Sequence, residues 1–242
     1  MTQRIGTFLS LGSPALAELA AEIGFDWVLI DLEHGCESEA ALPNQLRALR
    51  GSPTQAIVRV GAPHPDLIGR VLDWGAQGIM VPHIDTPAQA EQCVRSVLFP
   101  PLGQRGVSRT VRACGYGLRV PNGPTPKPIV LAQIETLEAV GNVDSIASVD
   151  GIDALFIGPA DLSFDVQARG SAVHYDECVE TIVAAARRNR KGCGILVRHF
   201  DDAERLKTYG FDWLAMDSDL SLVREGFKRN LMQARNPSAD PR

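Results

Sequence analysis

The sequence predicts one (β/α)8 barrel spanning residues 1–242, and three observations predict it. A phrase recurs: Gly24-Phe-Asp-Trp-Val-Leu-Ile-Asp31 returns as Gly210-Phe-Asp-Trp-Leu-Ala-Met-Asp217, with looser echoes at Gly75-Ala-Gln-Gly-Ile-Met-Val-Pro82 and Gly151-Ile-Asp-Ala-Leu-Phe-Ile-Gly158. Short apolar runs alternate with amphipathic stretches. The 242 residues suit a fold that commonly needs about 250.

Each phrase reads the same way physically. A glycine ends a helix in the left-handed region, a nearly continuous apolar run follows, as in a strand buried on both faces, and a polar or turn residue closes it. The expected strands are 4–10, 27–31, 56–60, 78–81, 129–134, 154–157, 194–197 and 213–216. Between them lie expected helices. The first, 14–23, opens on a proline and gathers Leu16, Leu19, Ala20 and Ile23 on one face. The helix at 38–50 has Ser38 as a candidate cap. Others follow at 65–74, 86–98, 175–190 and 201–209, with 219–234 last. Alternation implies parallel pairing through right-handed crossovers, and eight units imply closure. An open doubly wound sheet would usually carry a glycine-rich phosphate loop after its first strand, and Leu11-Gly-Ser-Pro14 is not one. The segment 99–127 breaks the rhythm. It reads as a binding loop or lid, or as a surface excursion or oligomer contact.

Composition narrows the function. A net charge of −5 argues against a nucleic-acid partner. Pro14 and Glu18 interrupt the one run resembling a signal segment, and no stretch approaches ~18 apolar residues, so no membrane span is expected. Five cysteines without a C-x-x-C pair fit reduced thiols in the cytoplasm.

Active sites of this fold lie at the C-terminal strand ends. There stand Asp31-Leu-Glu-His34, Arg59, Gln133-Ile-Glu135 and Gly158-Pro-Ala-Asp161. Glu135 and Asp161 each follow an apolar strand where an unpaired carboxylate is costly. Either alone reads as a cap or an ion-pair partner. Together, on neighbouring strands, they suit a hard divalent cation. The N–H groups of Ala160 and Asp161, after the N–H-less Pro159, suit an anionic group at a helix start. Arg59 must pair or face a polar cavity, where it could steady an enolate oxygen. His34, beside Asp31 and Glu33, has a side chain fit for acid–base work. His83 ends the fourth strand and receives no role. Of the four lysines, none falls at a strand's reacting end, which disfavours a Schiff base.

These motifs, with Leu11-Gly-Ser-Pro14, Val58-Arg-Val60 and Pro100-Pro-Leu-Gly-Gln-Arg-Gly106, run in order over most of the chain. Together they resemble the HpcH/HpaI aldolases, metal-dependent pyruvate aldolases. The resemblance implies that Glu135 and Asp161 hold a divalent ion (Mg²⁺, Mn²⁺ or Co²⁺). It implies that Arg59 contacts the keto oxygen, that His34 with Asp31 forms an acid–base dyad and that Gln133 lines the site. Ala160 and Asp161 would then seat the pyruvate carboxylate. The implied reaction is reversible cleavage of 4-hydroxy-2-oxo acids to pyruvate and an aldehyde. The implied assembly is a hexamer, or trimer of dimers, exchanging the final helix. His83 and the arginine-rich 99–127 segment, with Arg109 and Arg112, depart from the pattern and leave the aldehyde open. The arginines read as selecting an acidic aldehyde or as interface residues. A malyl-CoA or citryl lyase type of C–C lyase, a non-catalytic acid-binding barrel and, on fold grounds alone, a sugar-phosphate isomerase are the alternatives.

Overall fold

The computed structural model describes residues 3–119, 126–170, 172–198, 206 and 208–235. Its eight strands are β1 (Arg4–Leu9), β2 (Trp27–Asp31), β3 (Gln55–Arg59), β4 (Gly78–Val81), β5 (Ile129–Ile134), β6 (Ala154–Ile157), β7 (Gly192–Val197) and β8 (Trp213–Ser218). All pair in parallel, in chain order, and β8 closes on β1. This is the expected barrel. The helices around it are α1 (Pro14–Ile23), α2 (Leu42–Ala48), α3 (Pro65–Asp73), α4 (Pro87–Val97), α5 (Leu137–Gly141), α6 (Val143–Ala147), α7 (Pro159–Ala168), α8 (Tyr175–Arg188) and α9 (Asp219–Arg235).

The repeated phrase has a structural meaning. Gly24, Gly75, Gly151 and Gly210 all take φ near +100° (97° to 105°), a conformation that only glycine adopts cheaply. Each is followed two residues later by a polar residue: Asp26, Gln77, Asp153 or Asp212. Every one of these makes the same clamp on the preceding odd-numbered strand. Asp26 N–H donates to Ile5 O (2.8 Å) while its carboxylate accepts the Ile5 N–H (2.7 Å). Gln77 does so with Ala56, Asp153 with Val130 and Asp212 with Cys193. Each clamp residue's carbonyl also accepts an N–H from the next odd strand: Gln55, Ile129, Gly192 and, closing the ring, Arg4. Four residues therefore tie off the floor of the barrel, where strand-end backbone groups would otherwise lack partners.

Strand parity sorts the side chains into two shells. Val28, Ile30, Val58, Ile79, Val130, Leu155 and Leu214 face the helices. Phe8, Trp27, Leu29, Ile57, Met80, Leu131, Phe156 and Trp213 fill the lumen. Trp27 meets Trp213 edge-on (5.4 Å between centroids) and Phe156 at 6.2 Å. Burying each such ring stabilises the fold by roughly 1.5–3 kcal/mol. One step further along the lumen-facing positions of β2, β3 and β5 come Asp31, Arg59 and Gln133. The packed aromatic layer thus holds the polar layer at the mouth.

Several boundaries differ from expectation. α2 begins at Leu42, beside Pro43, because 38–41 forms a hydrogen-bonded turn (Ala41 N–H to Ser38 O). Between β5 and β6 the chain forms two short helices, jointed at Asn142, where none was expected. The helix expected over 201–209 lies largely outside the described residues. Of the segment 99–127, read as a lid, a surface excursion or an oligomer contact, residues 120–125 lie outside the described residues, and two of its arginines work at the floor of the barrel. Arg112, at the start of a 3-10 turn (Arg112–Gly117), donates to Trp74 O (2.6 Å) and Leu46 O (2.7 Å). Those carbonyls lie at the ends of α3 and α2, at the floor. Arg105 likewise binds Asp73 (2.6 Å). Arginine suits this work because its fork satisfies several orphan helix-end carbonyls at once.

Candidate active site

The mouth of the barrel opens into a cavity of about 1050 Å³ whose lining includes Asp31, His34, Arg59, Gln133, Ala160 and Asp161. Asp31 and Arg59 are register partners on β2 and β3, so parity turns both inward. Arg59 grips Asp31 with a bidentate fork, Nε to Oδ1 at 2.9 Å and Nη2 to Oδ2 at 2.7 Å. Its Nη1 lies 3.0 Å from Glu33 Oε2. Burial would raise the Asp31 carboxyl, but the Arg59 hydrogen bonds and charge outweigh it and hold Asp31 below the usual carboxylate range. The same pairing lifts Arg59 despite its burial. Glu33 is raised, chiefly by burial.

The structure does not join Asp31 to the His34 imidazole. Asp31 Oδ1 accepts the backbone N–H groups of Glu33 (3.1 Å) and His34 (3.2 Å), and both of its oxygens are held by Arg59. The His34 ring is two-thirds exposed, with Nε2 3.9 Å from Glu33 Oε2. Asp31 therefore fixes the main chain of the turn and orients Arg59.

Glu135 is buried just beyond β5. Its Oε1 accepts the His83 N–H (2.7 Å) and lies 3.0 Å from His83 Nδ1, and its Oε2 accepts from Gln133 Nε2. His83 reaches it through a positive φ of 53°, uncommon for a non-glycine residue. Glu135 also lies against the start of α7. Gly158 caps that helix, and a Cβ there would stand 2.5 Å from Glu135 Oε2. Only an absent side chain lets this carboxylate lie beside the turn that carries Asp161. The first bond of α7 runs from Leu162 N–H to Gly158 O, so the N–H groups of Ala160 and Asp161 precede the helical ladder and remain available at its positive end.

The donor set fits a hard cation. Asp31, Glu33 and Glu135 gather about the Arg59 guanidinium, and with Asp161 on the cavity wall they leave an excess of negative charge that attracts cations. Gln133 Oε1 is buried without a partner while the same amide donates to Glu135. Among the described residues no group of three or more His, Cys, Asp or Glu converges as a ready-made metal site. A two-carboxylate site leaves positions open to water and substrate oxygens, as magnesium-type ions require. Among the described residues no lysine lines the cavity. Lys127 pairs with Asp153 and Lys191 with floor carbonyls.

From sequence, Glu33 and Gly158 stood within the strand-end motifs without a role of their own, and Arg198 was missed. Glu33 hides between two stronger candidates, and Gly158 matters only through its missing atoms. Arg198 carried a usable signal, because it follows the apolar run of β7 as directly as Glu135 follows β5.

A family model described as HpcH/HpaI aldolase/citrate lyase matches residues 4–226. The chain is 37% identical over 231 residues to a 5-keto-4-deoxy-D-glucarate aldolase of Salmonella arizonae, covering 93% of this chain and 90% of the relative. It is 39% identical over 230 residues to a hydroxypyruvate/pyruvate aldolase of Pseudomonas aeruginosa, covering 93% and 86%. The crystal structure of an HpcH/HpaI aldolase/citrate lyase family protein from Burkholderia cenocepacia superposes with a TM-score of 0.89 at 33% identity, over 97% of this chain and 95% of that one.

Proposed function

The chain belongs to the HpcH/HpaI aldolase/citrate lyase family and is a carbon–carbon lyase, and we propose that it cleaves 4-hydroxy-2-oxo acids reversibly to pyruvate and an aldehyde at the mouth of the barrel. The observation that carries this reading is the buried Glu135 set against the start of α7, beside the orphaned Gln133 carbonyl and facing the Asp31–Arg59 pair.

In this reading Glu135 and Asp161 hold a divalent ion such as Mg²⁺, Mn²⁺ or Co²⁺, which supplies Lewis acidity at the 2-oxo acid when bound. The N–H groups of Ala160 and Asp161 seat the substrate carboxylate. Arg59, held rigid by Asp31 and Glu33, directs its charge at the keto oxygen, where negative charge develops as the C3–C4 bond breaks. His34 takes the C4-hydroxyl proton as that bond's electron pair passes into the enolate, and it returns a proton to C3. Gln133 orients Glu135. The site needs no lysine.

Assembly belongs to the same proposal. Beyond its buried first turn (Asp219, Ser221), α9 exposes Leu222, Phe227, Leu231 and Met232. Such a stripe favours exchange of this helix between copies in a homo-oligomer, a hexamer by the family resemblance. All five cysteines are free, which supports a reducing cytoplasmic setting.

The test is pyruvate release from a panel of 4-hydroxy-2-oxo acids, with chelator and after return of each ion. Activity should vanish with chelator and in both Glu135→Gln and Asp161→Asn. Full activity in both variants overturns the assignment.

A further inference from the structure

We propose that Arg198, with Arg224, forms a subsite at the rim of the cavity that takes the aldehyde's distal anionic group, a carboxylate or a phosphate. The proposal rests on the aldolase reading and extends it to the partner substrate.

Among the described residues three arginines line the cavity: Arg59, Arg198 and Arg224. Arg59 is committed to Asp31 and Glu33 at the deep end. The other two stand just after β7 and on α9 and converge on one buried hydroxyl. Arg198 Nη1 donates to Ser221 Oγ at 3.1 Å, and Arg224 Nη2 to the same oxygen at 3.3 Å. The acidic lining residues, Asp31, Asp161 and Asp176, stand on other elements, while Arg224 also donates through Nε to its exposed neighbour Glu225 (2.9 Å) and keeps Nη2 toward Ser221.

The backbone is bent to hold this arrangement. Between β1 and β8, Gly6 pairs with Ala215 but Phe8 pairs with Ser218, so β8 carries one residue too many across that step. Such bulges re-aim side chains beside active sites. Thr7 Oγ1 secures the bulge by donating to Met216 O (3.0 Å) and Asp217 O (3.2 Å). Asp217 sits there at φ +54°, in a region unfavourable to a residue with a Cβ. In that position its Oδ1 accepts from Arg198 Nη1 at 2.9 Å and from the Ser218 N–H. Strain of this kind persists where the surroundings over-determine it, commonly at ligand-binding positions. Here it fixes a half-exposed arginine at a cavity edge, where a planar fork suits bidentate capture of an oxyanion.

The experiment compares kcat/KM for pyruvate condensing with succinate semialdehyde, with glyceraldehyde 3-phosphate and with neutral butanal, in the wild-type holoenzyme and three variants. Wild type should favour at least one anionic aldehyde, and which one it favours distinguishes carboxylate from phosphate. Arg198→Leu should cut that preference by about ten- to hundred-fold, the scale of one charge-assisted hydrogen-bonded contact. Arg224→Leu should cut it less. Arg198→Lys, which keeps the charge without the fork, should lose several-fold, and it decides the matter if the leucine variant does not fold. An absent preference in wild type, or one unchanged by the Arg198 substitutions, overturns the subsite. Pyruvate C3-proton exchange in wild type without aldehyde separates the two failures. With exchange present only the subsite falls, and with neither exchange nor condensation the aldolase reading falls too.

Discussion

The two ends of this barrel use the same residue types to opposite purpose. At the floor, Asp26, Gln77, Asp153 and Asp212 repeat one clamp four times, each using its N–H, its carbonyl and its side chain on neighbouring strands. At the mouth nothing repeats. Carboxylates outnumber the single buried guanidinium, an amide oxygen is left over, and His83 and Asp217 hold strained backbone angles. Repetition of one paired clamp marks scaffold, whereas singular charged residues gathered at a cavity mark the place where something else binds.

The sharpest test sets the ends against each other. Glu135→Gln and Asp161→Asn should each lower kcat by about a hundred- to a thousand-fold, the scale on which removing one preorganised electrostatic partner acts. The Glu135→Gln midpoint should stay near wild type or rise, because that buried surplus charge opposes folding, and the Asp161→Asn midpoint should stay near wild type, because Asp161 is exposed. Paired activity and melting measurements on both variants check this. A large loss of stability with little loss of rate would reverse the roles assigned to the two ends.

Gly158→Ala should come next. It adds one methyl where a Cβ would stand 2.5 Å from Glu135 Oε2. Either the carboxylate or the start of α7 must move, and displacements near 1 Å cost about a hundred-fold in rate. The expected result is a ten- to hundred-fold fall in kcat at saturating metal, roughly the lower part of that scale. An unchanged rate would show that Glu135 and α7 need not touch.

The floor variant reads stability instead. Asp212→Ala strands the Cys193 N–H while leaving the backbone bonds of residue 212 to Cys193 and Arg4 in place. The loss should be about 1–3 kcal/mol, seen as a fall of several degrees in the melting midpoint. Rate per folded molecule should be unchanged.

The scaffold was far more legible in the sequence than the site. Glycine, apolar run and period all speak locally, so the eight strands emerged within a few residues of their bounds. The recurring Asp or Gln two residues after each glycine was visible too, but its clamp depends on strand neighbours, which are set only when the barrel closes. At the mouth, strand-end position alone brought Asp31, Arg59, Gln133, Glu135 and Asp161 together. What it could not supply was partnership. That Arg59 takes both oxygens of Asp31, leaving the His34 ring to Glu33, is decided by register between β2 and β3. That Arg112 serves the floor is decided by where helices α2 and α3 end.

The finest contrast lies within the clamp at Asp212. Burial raises its carboxyl, against the counteracting Cys193 N–H and the charge of Arg4. A carboxyl raised in the folded state binds its proton more tightly there than in the unfolded chain. The fold therefore carries no penalty below the unfolded pKa of about 3.9, an increasing one as pH rises through the folded value, and the full one above it. Asp212→Asn keeps an oxygen to accept the Cys193 N–H and removes the charge. Its melting midpoint should match wild type near pH 3 and exceed it at pH 7. If the asparagine variant were instead less stable at pH 7 than at pH 3, relative to wild type, the Asp212 charge would itself be holding the ring together through Arg4. The floor would then share the electrostatic character assigned here to the mouth.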